Sequence, residues 1–216
     1  VLIDSFKGSM TSMEAGNAAR DGVLRVYPHA NVTVRPLADG GEGTTDALIE
    51  GLGGRKVELS VTGPMGGRVK AYYGILADEK TAVMEMAQAA GITLVEEAKR
   101  NPGKATTYGV GEMIRDAVSR GCRKFIIGVG GSATNDGGIG MLRALGVKFL
   151  TKDGKEAGEG ADALGKIHFV SLEHLMPELK ECDFQIACDV TNPLCGEKGA
   201  TCIYGKQKGI REEEMP

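Results

Sequence analysis

The chain has 216 residues, of which 42% are hydrophobic and 25% charged, a globular composition with room for one or two domains and too apolar for intrinsic disorder. A formal net charge of -3 gives no global positive field for a nucleic acid backbone or an anionic membrane, so no nucleic acid and no membrane is expected as partner, and a small ligand is. The 33 glycines follow no collagen-like triplet and point to loops that carry function.

Val1-Leu2-Ile3 reads as the end of a buried strand, with no cleavable signal before it. No apolar run approaches the roughly 20 residues of a spanning helix, and the expected location is cytoplasmic. A helix follows: Thr11 with Glu14 makes a capping box, Ala15, Ala18, Ala19, Val23 and Val26 share one face, and Pro28 ends it. Val32 and Val34 alternate as a short strand, Thr45 to Leu52 reads as a second helix, and Val57, Leu59 and Val61 alternate as a third strand. This β-α-β-α-β run predicts a parallel α/β sheet. Gly63 to Gly67 then separates Val57–Val61 from the alternating Val69, Ala71, Tyr73 and Ile75, which predicts an antiparallel hairpin. Further on, helices are expected over 111–120 and 139–145, and strands over 124–129 and 183–189.

The cysteines, Cys122, Cys182, Cys188, Cys195 and Cys202, form no C-x-x-C pair, and their odd number cannot be paired within the chain. The last four fall at intervals of six or seven residues, without the tight ligand pairs of structural zinc, so free thiols are expected.

In open α/β sheets ligands bind beyond the carboxyl ends of strands, and four segments there carry candidate chemistry. Asp4-Ser5-Phe6-Lys7-Gly8 delivers a carboxylate, a hydroxyl and an ammonium ahead of a helix whose first amides suit an anion; a solvated turn is the plain alternative. Asp39-Gly40-Gly41-Glu42-Gly43-Thr44 pairs bare backbone with two acids, a pattern suited to phosphate and Mg²⁺. Gly128 to Gly138, between Phe125-Ile126-Ile127 and a helix, resembles a phosphate cradle without the Gly-Lys-Ser/Thr ending of a P-loop. The lysine such a site needs would come from elsewhere, and Lys7 is a candidate. The same segment contains Gly128-x-Gly130-x-x-Ala133 with Asp153 about 20 residues on, a dinucleotide fingerprint, although Thr134-Asn135-Asp136-Gly137-Gly138 prolongs the loop with residues hostile to a helix. In Ile186 to Gly196 a strand ends on Asp189, placed to accept a proton, hold a metal or close an Asx-turn on itself. Arg100-Asn101-Pro102 with Thr106-Thr107 offers a carboxylate clamp, Thr107 serving alternatively as a helix cap.

Taken in order, Asp4 to Gly8, Asp39 to Thr44, Thr62-Gly63-Pro64, Glu85-Met86-Ala87, Arg100-Asn101-Pro102, Gly130 to Gly138 and Asp189 to Gly196 resemble the glycerate kinases of the bacterial type I family. The resemblance runs the full length. It departs at Ile3 and Lys206, where family members typically have proline, and family chains continue well beyond Pro216, so a fragment is expected. It implies two α/β domains, a flavodoxin-like parallel-sheet domain and a mixed-sheet one, with the active site in the cleft between them. Residues 1–62 would form part of the first and 63–216 the second.

The implied activity is ATP-dependent phosphorylation of D-glycerate with Mg²⁺, leaving the 2- or 3-phosphoglycerate product and any homo-oligomer open. Asp189 would be the general base and Lys7 would neutralise transferred charge. Asp4, Asp39 and Glu42 would hold Mg²⁺. Arg100 would pair with the substrate carboxylate, and Ser5, Gly40, Gly41, Gly130, Gly131, Ser132, Thr134, Asn135 and Asn192 would bind phosphate or substrate. A nicotinamide dehydrogenase using the Gly128 loop and a regulatory domain binding a phosphate ligand are the rival readings.

Overall fold

The computed structural model describes residues 1–4, 6, 9–37, 40–41, 43–188, 190–211 and 213. Strand β1 (Leu2–Ile3) leads through α1 (Ser12–Val26) to β2 (Arg35–Pro36), and the two strands pair in parallel. The capping box forms as expected: the Thr11 hydroxyl accepts the Glu14 N–H at 3.2 Å, and the Glu14 carboxylate accepts the Thr11 N–H at 2.8 Å. Ser12, the first helical residue, donates its hydroxyl to the Ile3 carbonyl at 2.7 Å and accepts the Leu37 N–H at 2.9 Å, so it ties the ends of both strands to the helix start. The second strand falls at Arg35–Pro36 rather than at Val32 and Val34, because Leu2 and Ile3 stand opposite that later pair.

Helix α2 (Thr44–Leu52) precedes the hairpin of β3 (Gly54–Thr62) and β4 (Arg68–Leu76), which is followed by β5 (Thr81–Glu85) and the short α3 (Ala87–Ala90). The hairpin is antiparallel over nine residue pairs, with Val57 opposite Tyr73 and Val61 opposite Val69. The parallel β-α-β-α-β run expected from the sequence therefore stops at its second strand. A local turn at Gly63–Gly67 lets β3 and β4 close directly, whereas parallel pairing would have required a crossover.

Next come α4 (Tyr108–Ser119), β6 (Lys124–Gly128), α5 (Ile139–Ala144), the small antiparallel pair β7 (Lys148–Leu150) and β8 (Phe169–Ser171), β9 (Asp183–Ala187) and α6 (Ala200–Tyr204). Strands β6 and β9 join in parallel, giving a mixed sheet ordered β3-β4-β5-β6-β9. Helix α4 begins earlier than the expected 111 because Thr107 is held at its start by Asp136.

Strand β5 is buried at all five positions, as a strand covered on both faces must be. Around it Tyr73, Ile75, Met84, Met113, Ile114 and Phe125 form the main core, each contributing roughly 1.5–3 kcal/mol by leaving water. A second cluster, Ile139, Val147, Phe149, Ala157 and Ala163, packs α5 and β7 together. All five cysteines are free, as expected. Among the described residues no helix is long and apolar enough to cross a membrane.

Candidate functional site

The carboxyl ends of β5, β6 and β9 lie side by side, because Glu85 registers with Gly128 and Gly128 with Ala187. Across them lies the Gly40–Gly41 backbone. A Cβ on Gly128 would run into the Gly40 carbonyl oxygen, and one on Gly40 would come within 2.6 Å of the Ala187 carbonyl oxygen. Gly40 has φ +89, a conformation glycine adopts without strain, and its N–H donates to the Thr44 hydroxyl at 3.1 Å. Loops far apart in sequence thus meet backbone to backbone, and only glycines allow that approach. Gly130 extends the contact, since its Cβ would stand 3.2 Å from the Gly41 Cα.

Beneath this contact, the buried carboxylate of Glu85 accepts the Thr45 N–H at 2.8 Å, and the Gly43 N–H as well. Residue Gly43 caps α2 without a side chain, so Glu85 supplies from β5 the acceptor that the helix start lacks. Burial raises the Glu85 carboxyl above its ordinary value, and these donors pull it back only partly.

The cradle from Gly130 to Asp136 is pinned from both sides. On one side the Gly131 carbonyl accepts the Ile92 N–H and the Ala133 N–H donates to the Ala90 carbonyl, each at 2.8 Å. On the other, Asp136, 1% exposed, accepts the Thr107 hydroxyl at 2.8 Å and the N–H groups of Thr107, Gly138 and Gly140 at 2.9, 3.0 and 3.2 Å. One carboxylate therefore anchors the first turns of both α4 and α5. Thr107 caps α4 by position, while its hydroxyl serves Asp136 and accepts the Met141 N–H at 2.9 Å.

The expected binding residues divide into groups. Gly40, Gly41 and Gly130 are brought together on the strand-end ledge, while Gly131 stands against Ala87 and Ser132 pairs with Gly91. Thr134 is buried, and its carbonyl accepts a hydrogen bond from Lys208. Asn135 donates to the Thr201 hydroxyl at 3.0 Å, and Asn192 donates to the Lys198 carbonyl at 3.1 Å and accepts the Tyr204 hydroxyl at 2.6 Å, so both organise the segment around α6. Arg100 donates to the Gln207 carbonyl at 3.0 Å, and among the described residues its buried Nε has no hydrogen-bond partner. Asp4 follows the end of β1 and is exposed. Ser5, Lys7, Asp39, Glu42 and Asp189 lie outside the described residues. Among the described residues no group of three His, Cys, Asp or Glu side chains is placed to hold a metal ion.

Two residues gain a place that the sequence reading had not assigned. Glu85 closes the apolar run Ala82-Val83-Met84 with an acid at a strand end, a signal legible in hindsight. Lys208, only 9% exposed, donates from Nζ to the Ser132 hydroxyl at 2.9 Å and to the Thr134 carbonyl at 2.7 Å. Among the described residues it is a lysine that reaches the cradle; Lys7, the candidate from the sequence, lies outside them. Burial draws its ammonium below the ordinary value, and the nearby charge of Asp136 acts in the opposite direction.

The chain is 47% identical over 210 residues to a glycerate kinase of Haemophilus influenzae, covering 97% of this chain and 56% of that protein. It is 46% identical over 209 residues to the glycerate 2-kinase of Escherichia coli, covering 97% and 55%. A crystal structure from Salmonella typhimurium, described as a candidate glycerate kinase 2, superimposes with a TM-score of 0.91 at 43% identity, covering 99% of this chain and 57% of that one. The chain thus spans little more than half the length of the relatives it matches. The model of the glycerate kinase family matches residues 1–216, and the strand-end ledge of glycines stands on a chain that belongs to that family.

Proposed function

We propose that the protein containing this chain transfers the γ-phosphoryl group of ATP to a hydroxyl of D-glycerate. The observation that carries this reading is the meeting of Gly40–Gly41 with Gly128–Gly130 over the ends of β6 and β9, on a chain of this family. Bare backbone at strand ends, backed by the starts of α2 and α5, suits an array of phosphate oxygens. Catalysis of phosphoryl transfer is mainly positioning and charge stabilisation, which such a ledge supplies.

In this reading Asp189 accepts the proton of the glycerate hydroxyl as its oxygen bonds to the γ-phosphorus. The bond from that phosphorus to the bridging oxygen breaks, and ADP leaves. Lys7 neutralises charge on the transferred group, and Arg100 takes the glycerate carboxylate. Asp4, Asp39 and Glu42 are assigned to the Mg²⁺ of the nucleotide on donor chemistry, since oxygen ligands are what that ion prefers. A boundary between the two domains that falls ahead of β3, because β3 and β4 pair in one sheet, and a cytoplasmic setting belong to the same proposal. No observation favours the dehydrogenase, because the Gly128 loop is pinned as a cradle by Ala90, Ile92 and Asp136 before α5 begins.

A coupled ADP assay on the full-length protein tests it. ADP release with MgATP should depend on D-glycerate, and equal release with and without glycerate would refute the proposal.

A further inference from the structure

The cradle holds a buried cation, Lys208. Lys208 reaches it from the turn at Lys206–Lys208, which Arg100 holds through the Gln207 carbonyl. Among the described residues no carboxylate forms an ion pair with its ammonium, whose two bonds go to a hydroxyl and a carbonyl. Its hydrogen-bond partners are neutral, and the Asp136 carboxylate that acts on it from nearby is committed to four donors at the starts of α4 and α5, so an anion arriving at the cradle would balance the ammonium further.

The direction of the bond to Ser132 adds a second consequence. An ammonium only donates, so Ser132 Oγ must accept from Lys208, which leaves its own O–H for another acceptor. Among the described residues that O–H has none, and Ser132 is half-buried beside the exposed backbone of Gly130 and Gly131.

Resting on the kinase reading above, we propose that Lys208 is a positioning residue that acts through Ser132: it holds the 130–134 cradle in shape, orients the Ser132 hydroxyl as a donor, and supplies the charge against which a phosphate group binds. The ligand class is a phosphate chain of the kind found in a nucleoside triphosphate.

The test is a double-mutant cycle on the full-length protein, reading dissociation constants for inorganic pyrophosphate and MgADP by calorimetry, with folding checked by near-ultraviolet circular dichroism. Lys208→Met should weaken both by about tenfold or more, the worth of a charge-assisted contact, and Ser132→Ala by several-fold. The double variant should bind no worse than Lys208→Met alone, because the serine acts only when oriented. A merely structural staple would lower the melting temperature and leave both constants within about twofold of the parent, or the two effects would multiply; either outcome overturns the proposal. If Lys208→Met does not fold, Lys208→Gln keeps a donor toward Ser132 without the charge, and unchanged affinity in that variant overturns it equally. So does a parent that binds neither probe. A parent that binds pyrophosphate through Lys208 yet leaves D-glycerate unphosphorylated would refute the kinase reading and spare this one, and turnover with unchanged binding in Lys208→Met would do the reverse.

Discussion

Gly128, the last residue of β6, faces the carbonyl oxygen of Gly40 with no space for a β-carbon between them. The contact joins backbones, so neither side can yield by changing a rotamer. It holds the loop after β2 over the ends of β6 and β9.

Gly128→Ala should therefore destabilise the fold by about 1–3 kcal/mol, the usual cost of forcing atoms into a filled space. Because the strain falls on the ledge, MgADP affinity should drop as well. Urea unfolding and calorimetry on the same preparation measure both, and a variant with parent-like stability would show that the two loops are not in contact.

Asp136→Ala removes the acceptor of three backbone N–H groups and one hydroxyl at the starts of α4 and α5. Buried donors left without partners cost about 1–3 kcal/mol each, so the loss should be about 3 kcal/mol or more. Hydrogen exchange should show the Thr107 and Gly140 amides losing protection first, and unchanged protection at both would contradict the anchoring role.

The contrast between Asp136 and Lys208 shows what the sequence makes legible. The capping box at Thr11 and Glu14, the hairpin around Gly63–Gly67 and the glycine loop after β6 rest on local chemistry, and each stands where its residues indicate. Which sheet β3 joins is a choice between distant partners, and alternation at Val57, Leu59 and Val61 is the same for either. Lys208 meets Ser132 across 76 residues, through a turn placed by Arg100, and no spacing in the chain announces that bond. The sequence marks the loops of the candidate site, but the charges reaching them from other elements are set by packing.

Glu85 should leave a signature in the pH dependence of stability. Its carboxyl is raised by burial above the ordinary 4.5, so the folded state binds this proton more tightly than the unfolded one. The stability tied to this group is fully present below 4.5 and is lost as pH rises through the folded value. Glu85→Gln removes the dependence, so its stability relative to the parent should rise across that window whatever the offset at low pH. Chemical denaturation at a series of pH values checks this, and a constant difference between the two proteins would contradict the burial of Glu85.

Asp189→Asn, if this residue is the base, should keep the fold and the affinity for MgADP while lowering turnover of D-glycerate by about 10² to 10⁴. If the residue instead holds the nucleotide's Mg²⁺, the same change should weaken MgADP binding and raise the Mg²⁺ concentration needed for activity. Turnover within about threefold of the parent would remove Asp189 from the reaction altogether.

Phosphorus NMR of the full-length protein incubated with D-glycerate and MgATP tests the central claim most directly, because it observes the new bond. The account predicts a phosphomonoester resonance that grows in step with ADP, whose coupling to carbon-bound protons tells whether the 2- or the 3-hydroxyl was the acceptor. ATP that stays intact, or that yields only ADP and inorganic phosphate in the presence of D-glycerate, would contradict it.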